Sequence, residues 1–228
     1  MTDLAGLAQQ ISVMALPLIF AITLHEAAHG YVALAMGDDT AKRLGRISLN
    51  PVRHIDPFGT LILPAMLMVM GSFLFGWAKP VPVNFSKLRS PRLGMVLVAA
   101  AGPGANVLMA AMAILLMPHV SLLPHAAVDW ARLNLVYAVQ INLLLAVFNM
   151  LPVPPLDGGR VLVGILPRPL AMRVARIENV GVLILLAALV LLPMLGRELN
   201  LPLDPFEWII QPVVNFLLEV LVALFGGV

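Results

Sequence analysis

The sequence is poor in charged residues and contains no cysteine. Only 11% of its 228 residues are Asp, Glu, Lys or Arg, against about 25% in an average soluble protein. The 14 basic and 12 acidic side chains are too few to cover the surface of a soluble globular domain of this length. The net charge of +2 gives no argument for a nucleic-acid partner. Without cysteine, the chain has neither disulfides nor a thiolate metal site.

Long hydrophobic runs take the place of charge. Hydrophobic residues make up 61% of the chain, and the mean hydropathy is +0.97. About 20 apolar residues in a helix cross the hydrocarbon core of a bilayer. Six runs with little charge approach or exceed that length: 4–37, 57–78, 93–128, 133–156, 179–196 and 206–225. We therefore expect one membrane-embedded domain over 1–228, with its core at about 4–178 and accessory helices at about 179–228.

The placement of Lys and Arg distinguishes two topologies. Three loops, Asp38–Asp56, Lys79–Arg92 and Asp157–Glu178, carry four basic residues each, and the other loops carry two in all. If every run crosses the membrane, the basic residues divide eight to six, whereas they divide 12 to two if Pro57–Ala78 enters and returns. Because Lys and Arg accumulate in cytoplasmic loops, we predict five spanning helices plus a re-entrant segment, with the N-terminus outside. Six spanning helices are the alternative.

The predicted fold class is an all-α polytopic membrane protein. Pro64 and Gly71 interrupt the re-entrant run, and irregular backbone at membrane depth requires a surround of protein. A turn-rich stretch, Gly76–Pro82, follows this run. We expect a short strand-like element over Val81–Phe85.

One charged residue interrupts the first apolar run, and histidines flank it. Glu26 lies in the sequence His25-Glu26-Ala27-Ala28-His29, and an ionisable residue inside a span indicates a functional site. Residues i and i+4 project from one side of a helix, so two imidazoles can bind one Zn²⁺ while the glutamate lies beside it. A chain of this composition contains the pattern by chance about 0.002 times. Two core histidines with a coincidental glutamate are therefore the less favoured interpretation.

A hydrolytic zinc site needs three protein ligands and one open position. No further acid or histidine follows on the first helix, and the candidate third ligand is Asp157. Prolines at 152, 154 and 155 end the preceding helix, and two glycines directly follow the acid. The carboxylate is thus expected on irregular chain at membrane depth, lining a polar cavity. In the re-entrant topology Asp157 and the two histidines lie near the same membrane face, whereas in the six-span topology they do not.

Together these motifs resemble the site-2 protease family of intramembrane zinc metalloproteases. The resemblance covers most of the chain through Arg176 and rests on four segments: His25–His29, Gly76–Asn84, Ala101–Asn106 and Asn149–Gly159. The first segment is common to many metallopeptidases, and the last is the most specific.

The resemblance implies a ligand set and a reaction. The metal ligands would be His25, His29 and Asp157, holding one Zn²⁺ per chain, and Glu26 would be the catalytic base. The reaction implied is endoproteolytic cleavage in or near the transmembrane segment of a membrane-anchored substrate. The implied location is the cell membrane, with the active site towards the cytoplasm.

The resemblance also assigns two asparagines. Asn149 matches the family asparagine that polarises the scissile carbonyl or holds the substrate strand, and Asn106 matches the Gly-Pro-x-x-Asn position. The partners expected are a single-span protein substrate and the lipid bilayer, with no nucleic acid. The length leaves no room for a PDZ or CBS regulatory domain, which is typical of a compact prokaryotic-type member.

Two alternatives remain open at this stage. A membrane metal transporter could use the same His, Glu and Asp cluster as a transit site, although transporters tend to show repeated halves and none is found here. A zinc protease of the prenyl-protein-processing type would take its third ligand from a later glutamate. The later glutamates, none of them in a matching motif, are Glu178, Glu198, Glu207 and Glu219.

Overall fold

The computed structural model describes residues 4–62, 66 and 78–226 of the chain. The α-helices there are α1 (Leu4–Ala35), α2 (Thr40–Arg43), α3 (Pro91–Leu116), α4 (His125–Asn149), α5 (Asp157–Ile165), α6 (Arg168–Arg176), α7 (Glu178–Leu186), α8 (Leu192–Leu199) and α9 (Gln211–Phe225). Short 3₁₀ turns cover Pro51–His54, Phe85–Lys87 and Met117–Leu122, and π-helical turns cover Pro57–Ile62, Ala187–Leu191 and Phe206–Ile210.

Five helical stretches are long and apolar enough to cross a membrane, within the part of the chain that the structure describes. They are Ser12–Ala35, Pro91–Leu122, His125–Asn149, Val180–Leu199 and Phe206–Phe225. The π-helical turns make the last two stretches continuous, joining α7 to α8 and leading into α9. The predicted all-α polytopic fold with five spanning helices is confirmed.

The predicted re-entrant run, Pro57–Ala78, lies largely outside the described residues. Its two flanks are described, and they meet: the backbone N–H of Lys79 donates to the carbonyl of His54 at 2.9 Å. The Arg46 guanidinium donates to the Lys79 carbonyl at 2.9 Å. His54 and Lys79, on the two sides of this run, thus lie next to each other, and the re-entrant course of the run itself stays a prediction.

The expected strand-like element is only partly correct. Residues 78–84 are non-helical, but no β-strand occurs among the described residues. Phe85 begins the 3₁₀ turn Phe85–Lys87, so the element ends at Asn84 and not at Phe85. Prolines 80 and 82 explain the non-helical chain, because proline disrupts helical hydrogen bonding.

Small residues bring the central helices together. Ala110, Ala111 and Ala113 on α3 are buried in one cluster with Val139 and Leu143 on α4. In a membrane, small side chains permit the close backbone approach on which helix association depends. Nearer the N-terminus of α3, Gly164 of α5 fits against Val96, where an added Cβ would come as close as 2.5 Å to a Val96 methyl carbon. Helix α3 is therefore the central element, with α1, α4 and α5 packed around it.

Candidate metal centre

Helix α1 supplies two imidazoles to one buried point. His25 and His29, one turn apart, are each only 7% exposed. Their Nε2 atoms lie 3.1 Å from each other, and the rings meet edge to face with centroids 4.7 Å apart. The spacing of the motif thus produces the convergence that the sequence predicts.

Asp157 reaches the same point through a tightly folded loop after α4. Helix α4 ends at Asn149, and the chain folds back over Met150–Leu156 before α5 begins. An added Cβ on Gly158 would overlap the carbonyl oxygen of Met150, and one on Gly159 would overlap the backbone of Pro154. The two glycines therefore allow α5 to lie directly against the proline-rich loop.

The expectation that Asp157 lies on irregular chain is wrong. Asp157 is the first residue of α5, and Leu156, with extended dihedral angles, precedes it. An acidic side chain is favoured in the first helical turn because the free N–H groups and the helix dipole make that end positive. The irregular chain here is the loop Met150–Leu156, which precedes Asp157.

The carboxylate and both imidazoles form one group. Asp157 Oδ2 lies 3.2 Å from His25 Nε2 and 3.3 Å from His29 Nε2, and Asp157 is 6% exposed. Within the described residues, these three side chains are the group of His, Asp and Glu whose ligand atoms come close enough to hold one metal ion, all within 4.8 Å.

The outer nitrogens of both rings face hydrogen-bond acceptors. His25 Nδ1 lies 2.5 Å from the side-chain oxygen of Asn106, and His29 Nδ1 lies 2.6 Å from the carbonyl oxygen of Val98. Each Nδ1 therefore carries the proton and donates it. In the neutral imidazole the other nitrogen is then an acceptor, so each Nε2 presents a lone pair to the common point.

These donor atoms fit Zn²⁺. Two imidazole lone pairs and a carboxylate oxygen, packed about 3 Å apart with no hydrogen-bond donor between them, repel each other unless a cation joins them. In a tetrahedral zinc site with ligand bonds of about 2.0–2.1 Å, neighbouring ligand atoms are about 3.3 Å apart, close to the separations observed here. Three protein ligands leave one of the four positions for water or substrate.

Gly102 of α3 keeps space open in front of the imidazoles. An ideal Cβ on Gly102 would lie 2.6 Å from His25 Nε2 and closer still to His29 Nε2. Any larger residue at 102 would thus displace the ligands from their common point. Gly102 is the glycine of the Gly-Pro-x-x-Asn motif and lies four residues before Asn106, on the same helical face.

Glu26 is adjacent to this group and is held by a separate segment. Its Oε2 accepts a hydrogen bond from the backbone N–H of Val81 at 2.7 Å, and the side chain is half-buried. This contact fixes one carboxylate oxygen. It also brings the non-helical segment 78–84 alongside α1 next to the histidines.

Two buried asparagine side chains form a hydrogen-bonded chain that ends at His25. Asn106, fully buried, donates to the Ala21 carbonyl at 3.3 Å and to the side-chain oxygen of Asn142 at 2.8 Å. Asn142 in turn donates to the Ala138 carbonyl of its own helix at 2.8 Å. Because both Asn106 hydrogens are used in this way, its oxygen faces His25, which sets the tautomer of that ring.

Asn149 lies at the end of α4, directly before the loop that carries Asp157. Its side-chain nitrogen donates to the carbonyl of Leu145 on its own helix at 2.9 Å, and the residue is half-buried. Its second amide hydrogen is available in principle for another acceptor. This hydrogen bond joins Asn149 to its own helix α4 and not to the three candidate ligands.

The structure brings the predicted ligands together and does not bring a later glutamate to them. A carboxylate oxygen of Glu178 instead lies 3.9 Å from a guanidinium nitrogen of Arg160. The ligand set that characterises the prenyl-protein-processing alternative is therefore not the one assembled among the described residues.

Sequence comparison relates the chain to known peptidases. The model of Peptidase family M50 matches residues 119–192, a range that contains the loop and Asp157. A Bacillus subtilis protein named "Putative zinc metalloprotease YwhC" is 38% identical over 212 residues, which is 88% of this chain and 94% of that protein.

More distant relatives carry similar names. "Putative zinc metalloprotease Rip2" is 30% identical over 141 residues in Mycolicibacterium smegmatis and 32% identical over 142 residues in Mycobacterium tuberculosis. Each match covers 61% of this chain and 52% of the relative. No solved structure matches the chain significantly. On the match to the Bacillus relative over nearly the full length of both proteins, this chain belongs to peptidase family M50, the site-2 protease family, and is a multi-pass membrane metalloprotease.

Proposed function

We propose that the chain is a zinc-dependent endopeptidase that cleaves a membrane-anchored protein in or near its transmembrane segment. One zinc ion per chain would be held by His25, His29 and Asp157. The observation that carries this proposal is the convergence of these three donor atoms, buried beside Glu26 on a membrane-spanning helix. A site at this position would act on a peptide bond in or near the transmembrane segment of a substrate protein.

Each residue around the metal has a role in the proposed reaction. Bound zinc supplies Lewis-acid chemistry, which polarises a carbonyl and activates water near neutral pH. Glu26 accepts the proton from the attacking water and returns it to the leaving amine. The Val81 N–H holds one oxygen of that carboxylate, so the carboxylate stays oriented for the transfer. Asn106 and Val98 hold the two imidazoles in the tautomer that ligates.

A helical substrate must unwind before it can be cleaved, because its carbonyls are engaged in its own hydrogen bonds. The segment 78–84 lies beside Glu26 and is itself non-helical. An unwound substrate could pair with this segment as an added strand, a common mode of peptide recognition. The proposal thus places the substrate backbone between segment 78–84 and the metal.

Asn149 is proposed as a donor to the substrate. Its second amide hydrogen could reach the developing oxyanion or the unwound backbone while the first stays bonded to Leu145. Losing such a donor lowers the rate about 10²–10³-fold. Turnover of Asn149→Ala, normalised to bound zinc, tests this role, and an unchanged normalised rate would leave Asn149 as a structural residue of α4.

We also propose that the protein lies in the cell membrane with its N-terminus outside and its active site towards the cytoplasm. The 12-to-two division of basic residues supports this orientation. Single cysteines at Ser48 and Ser86, in a chain with no native cysteine, should both react with an impermeant reagent from the cytoplasmic side. Labelling from opposite sides would contradict the proposed topology.

The decisive variant for the catalytic role is Glu26→Gln, with Glu198→Gln at an exposed position as the control. Purified protein is assayed for zinc content and for cleavage of a single-span substrate in liposomes. We expect Glu26→Gln to keep its zinc and to lose cleavage by about 10²–10⁴-fold, the usual contribution of general base catalysis. Cleavage at the wild-type rate in Glu26→Gln would refute the proposal. Zinc uptake by liposomes that contain the wild-type protein, without cleavage of the substrate, would also refute it.

A further inference from the structure

A second buried carboxylate lies outside the metal centre. Asp38 follows the end of α1 by three residues and is 0% exposed. Gly37 precedes it with φ of +108°, a backbone conformation that residues other than glycine rarely adopt. This turn directs Asp38 back towards the segment that precedes α3.

Both oxygens of Asp38 accept hydrogen bonds. Oδ1 accepts from the backbone N–H and the hydroxyl of Thr40, at 3.0 and 2.5 Å. Oδ2 accepts from the backbone N–H of Asn84 at 2.6 Å, across 46 residues of sequence. One carboxylate thus closes its own turn and binds the end of segment 78–84.

Asp38 is ionised at neutral pH. Burial alone would raise the pKa of this carboxyl, but the hydrogen bonds from the Thr40 hydroxyl and from the backbone of Asn84 and Thr40, with the nearby Lys87 ammonium, lower its pKa below the ordinary value. The bonds that it accepts are therefore charge-assisted, and such bonds are about twice as strong as neutral ones.

The residues 81–84 are attached to α1 and its C-terminal turn at two points. The Val81 N–H binds Glu26, and the Asn84 N–H binds Asp38. Pro82 lies between these points and has no N–H to donate, so few backbone hydrogen bonds can hold this stretch. The Glu26 carboxylate therefore binds the first residue of the stretch 81–84, and the Asp38 carboxylate binds its last residue.

We propose that Asp38 is a positioning residue, which fixes residues 81–84 beside Glu26 so that the segment is ordered before the substrate arrives. This inference rests on the proposed function, since it assigns the segment to substrate binding. A pre-ordered binding segment avoids the cost of ordering it during binding. Loss of Asp38 should therefore weaken substrate binding rather than remove the metal.

The first variant is Asp38→Asn, which keeps the shape of the side chain but replaces one acceptor oxygen with a donor. Its matched control is Asp39→Asn, because the Asp39 carboxylate is partly exposed and pairs with the side chains of Arg43 and Lys87. A second variant, Asn84→Pro, removes the same hydrogen bond from the donor side. It leaves the Asp38 carboxylate and its Thr40 contacts in place.

The first readout does not depend on activity. Amide hydrogen exchange at Val81 and Val83 should be about 10–100-fold faster in Asp38→Asn and in Asn84→Pro, the effect of one lost charge-assisted hydrogen bond. Exchange in α1, zinc content and the Asp39→Asn control should match the wild type. Wild-type exchange at both amides in both variants would overturn the proposal, and so would faster exchange throughout α1, which would show a general loss of structure.

The second readout separates binding from chemistry. With zinc content unchanged, KM for the single-span substrate should rise about 10-fold or more. The value of kcat should change much less, because an amide that opens about 10–100-fold more often is still closed most of the time, so the Val81 N–H still holds the Glu26 carboxylate. An unchanged KM in both variants would overturn the proposal. If wild-type protein with bound zinc cleaves no substrate, the proposed function fails, while the exchange result still decides whether Asp38 orders the segment.

Discussion

The bundle around the candidate metal centre and the C-terminal spans differ in what they bury. In the first span, 39% of the most apolar window is buried, against 11% in the last. Within the described residues, the first region, which comprises helices α1, α3, α4 and α5, buries seven polar residues, which include the three candidate ligands: Thr23, His25, His29, Asn106, Asn134, Asn142 and Asp157. The buried residues described in Val180–Leu199 and Phe206–Phe225 are apolar or glycine: Gly181, Leu185, Leu189, Gly196, Ile210 and Leu221.

This difference shows where the molecule concentrates its chemistry. A polar group at membrane depth is costly unless it finds a partner, and hydrogen bonds join His25, Asn106 and Asn142 to one another. The C-terminal spans mainly face outward and contact α4 through Val147, Leu189 and Ile210. Substitutions of equal size should therefore have large effects in the first region and small effects in the second.

The largest effect is expected from loss of a ligand. Asp157→Ala should lose zinc and cleavage as completely as His29→Ala, because each removes one of three protein donors. Asp129→Ala, at an exposed position of α4, is the control and should keep both. Metal analysis and cleavage of the purified variants check this expectation. Normal zinc occupancy in Asp157→Ala would remove that residue from the site.

A smaller but substantial effect is expected from one methyl group at Gly102. Gly102→Ala places a carbon against both Nε2 atoms, so the ligands must move and zinc affinity should fall about 10-fold or more. Gly104→Ala adds the same methyl group on the same helix, where nothing lies within 4 Å of the new carbon. It should bind zinc like the wild type, and equal zinc titrations for the two variants would contradict the assigned geometry.

The smallest effect should come from the amide chain behind His25. Asn142→Ala removes the acceptor of Asn106, and we expect zinc affinity to fall about 10-fold, the lower end of the range for such supporting contacts. Asn215→Ala breaks an exposed amide pair with Gln211 in α9 and should leave zinc affinity unchanged. Competition with a zinc chelator measures both variants, and equal affinities would remove the contrast between the two regions.

The sequence was sufficient for the features that depend on local periodicity and charge. The i and i+4 spacing of His25 and His29 indicated a shared face, and the lack of charge indicated the spanning helices. The proline-rich loop with its two glycines indicated Asp157 as the third ligand, which the structure places 3.2–3.3 Å from both imidazoles. The roles of these residues in catalysis stay predictions.

The contacts between distant segments could not be read from the sequence. The hydrogen bonds from the Val81 N–H to Glu26 and from the Asn84 N–H to Asp38 join residues 55 and 46 positions apart. Every residue except proline has a backbone N–H, so the sequence does not show which of these groups donates to a distant carboxylate. No motif in the sequence around Asp38 indicates its contact with Asn84. The prolines before Asp157 indicate irregular chain, but a helix can begin directly after such a loop, and α5 begins at Asp157 itself.

We propose above all that His25, His29 and Asp157 together hold one zinc ion. X-ray absorption at the zinc edge, on the full chain purified without added chelator, tests it most directly. The account predicts one zinc per chain with nitrogen and oxygen ligands at about 2.0–2.1 Å, including two imidazoles and no sulfur, and the loss of this signal in Asp157→Ala. An unchanged spectrum and metal content in Asp157→Ala, or a spectrum with fewer than two imidazoles in the wild type, would contradict the account.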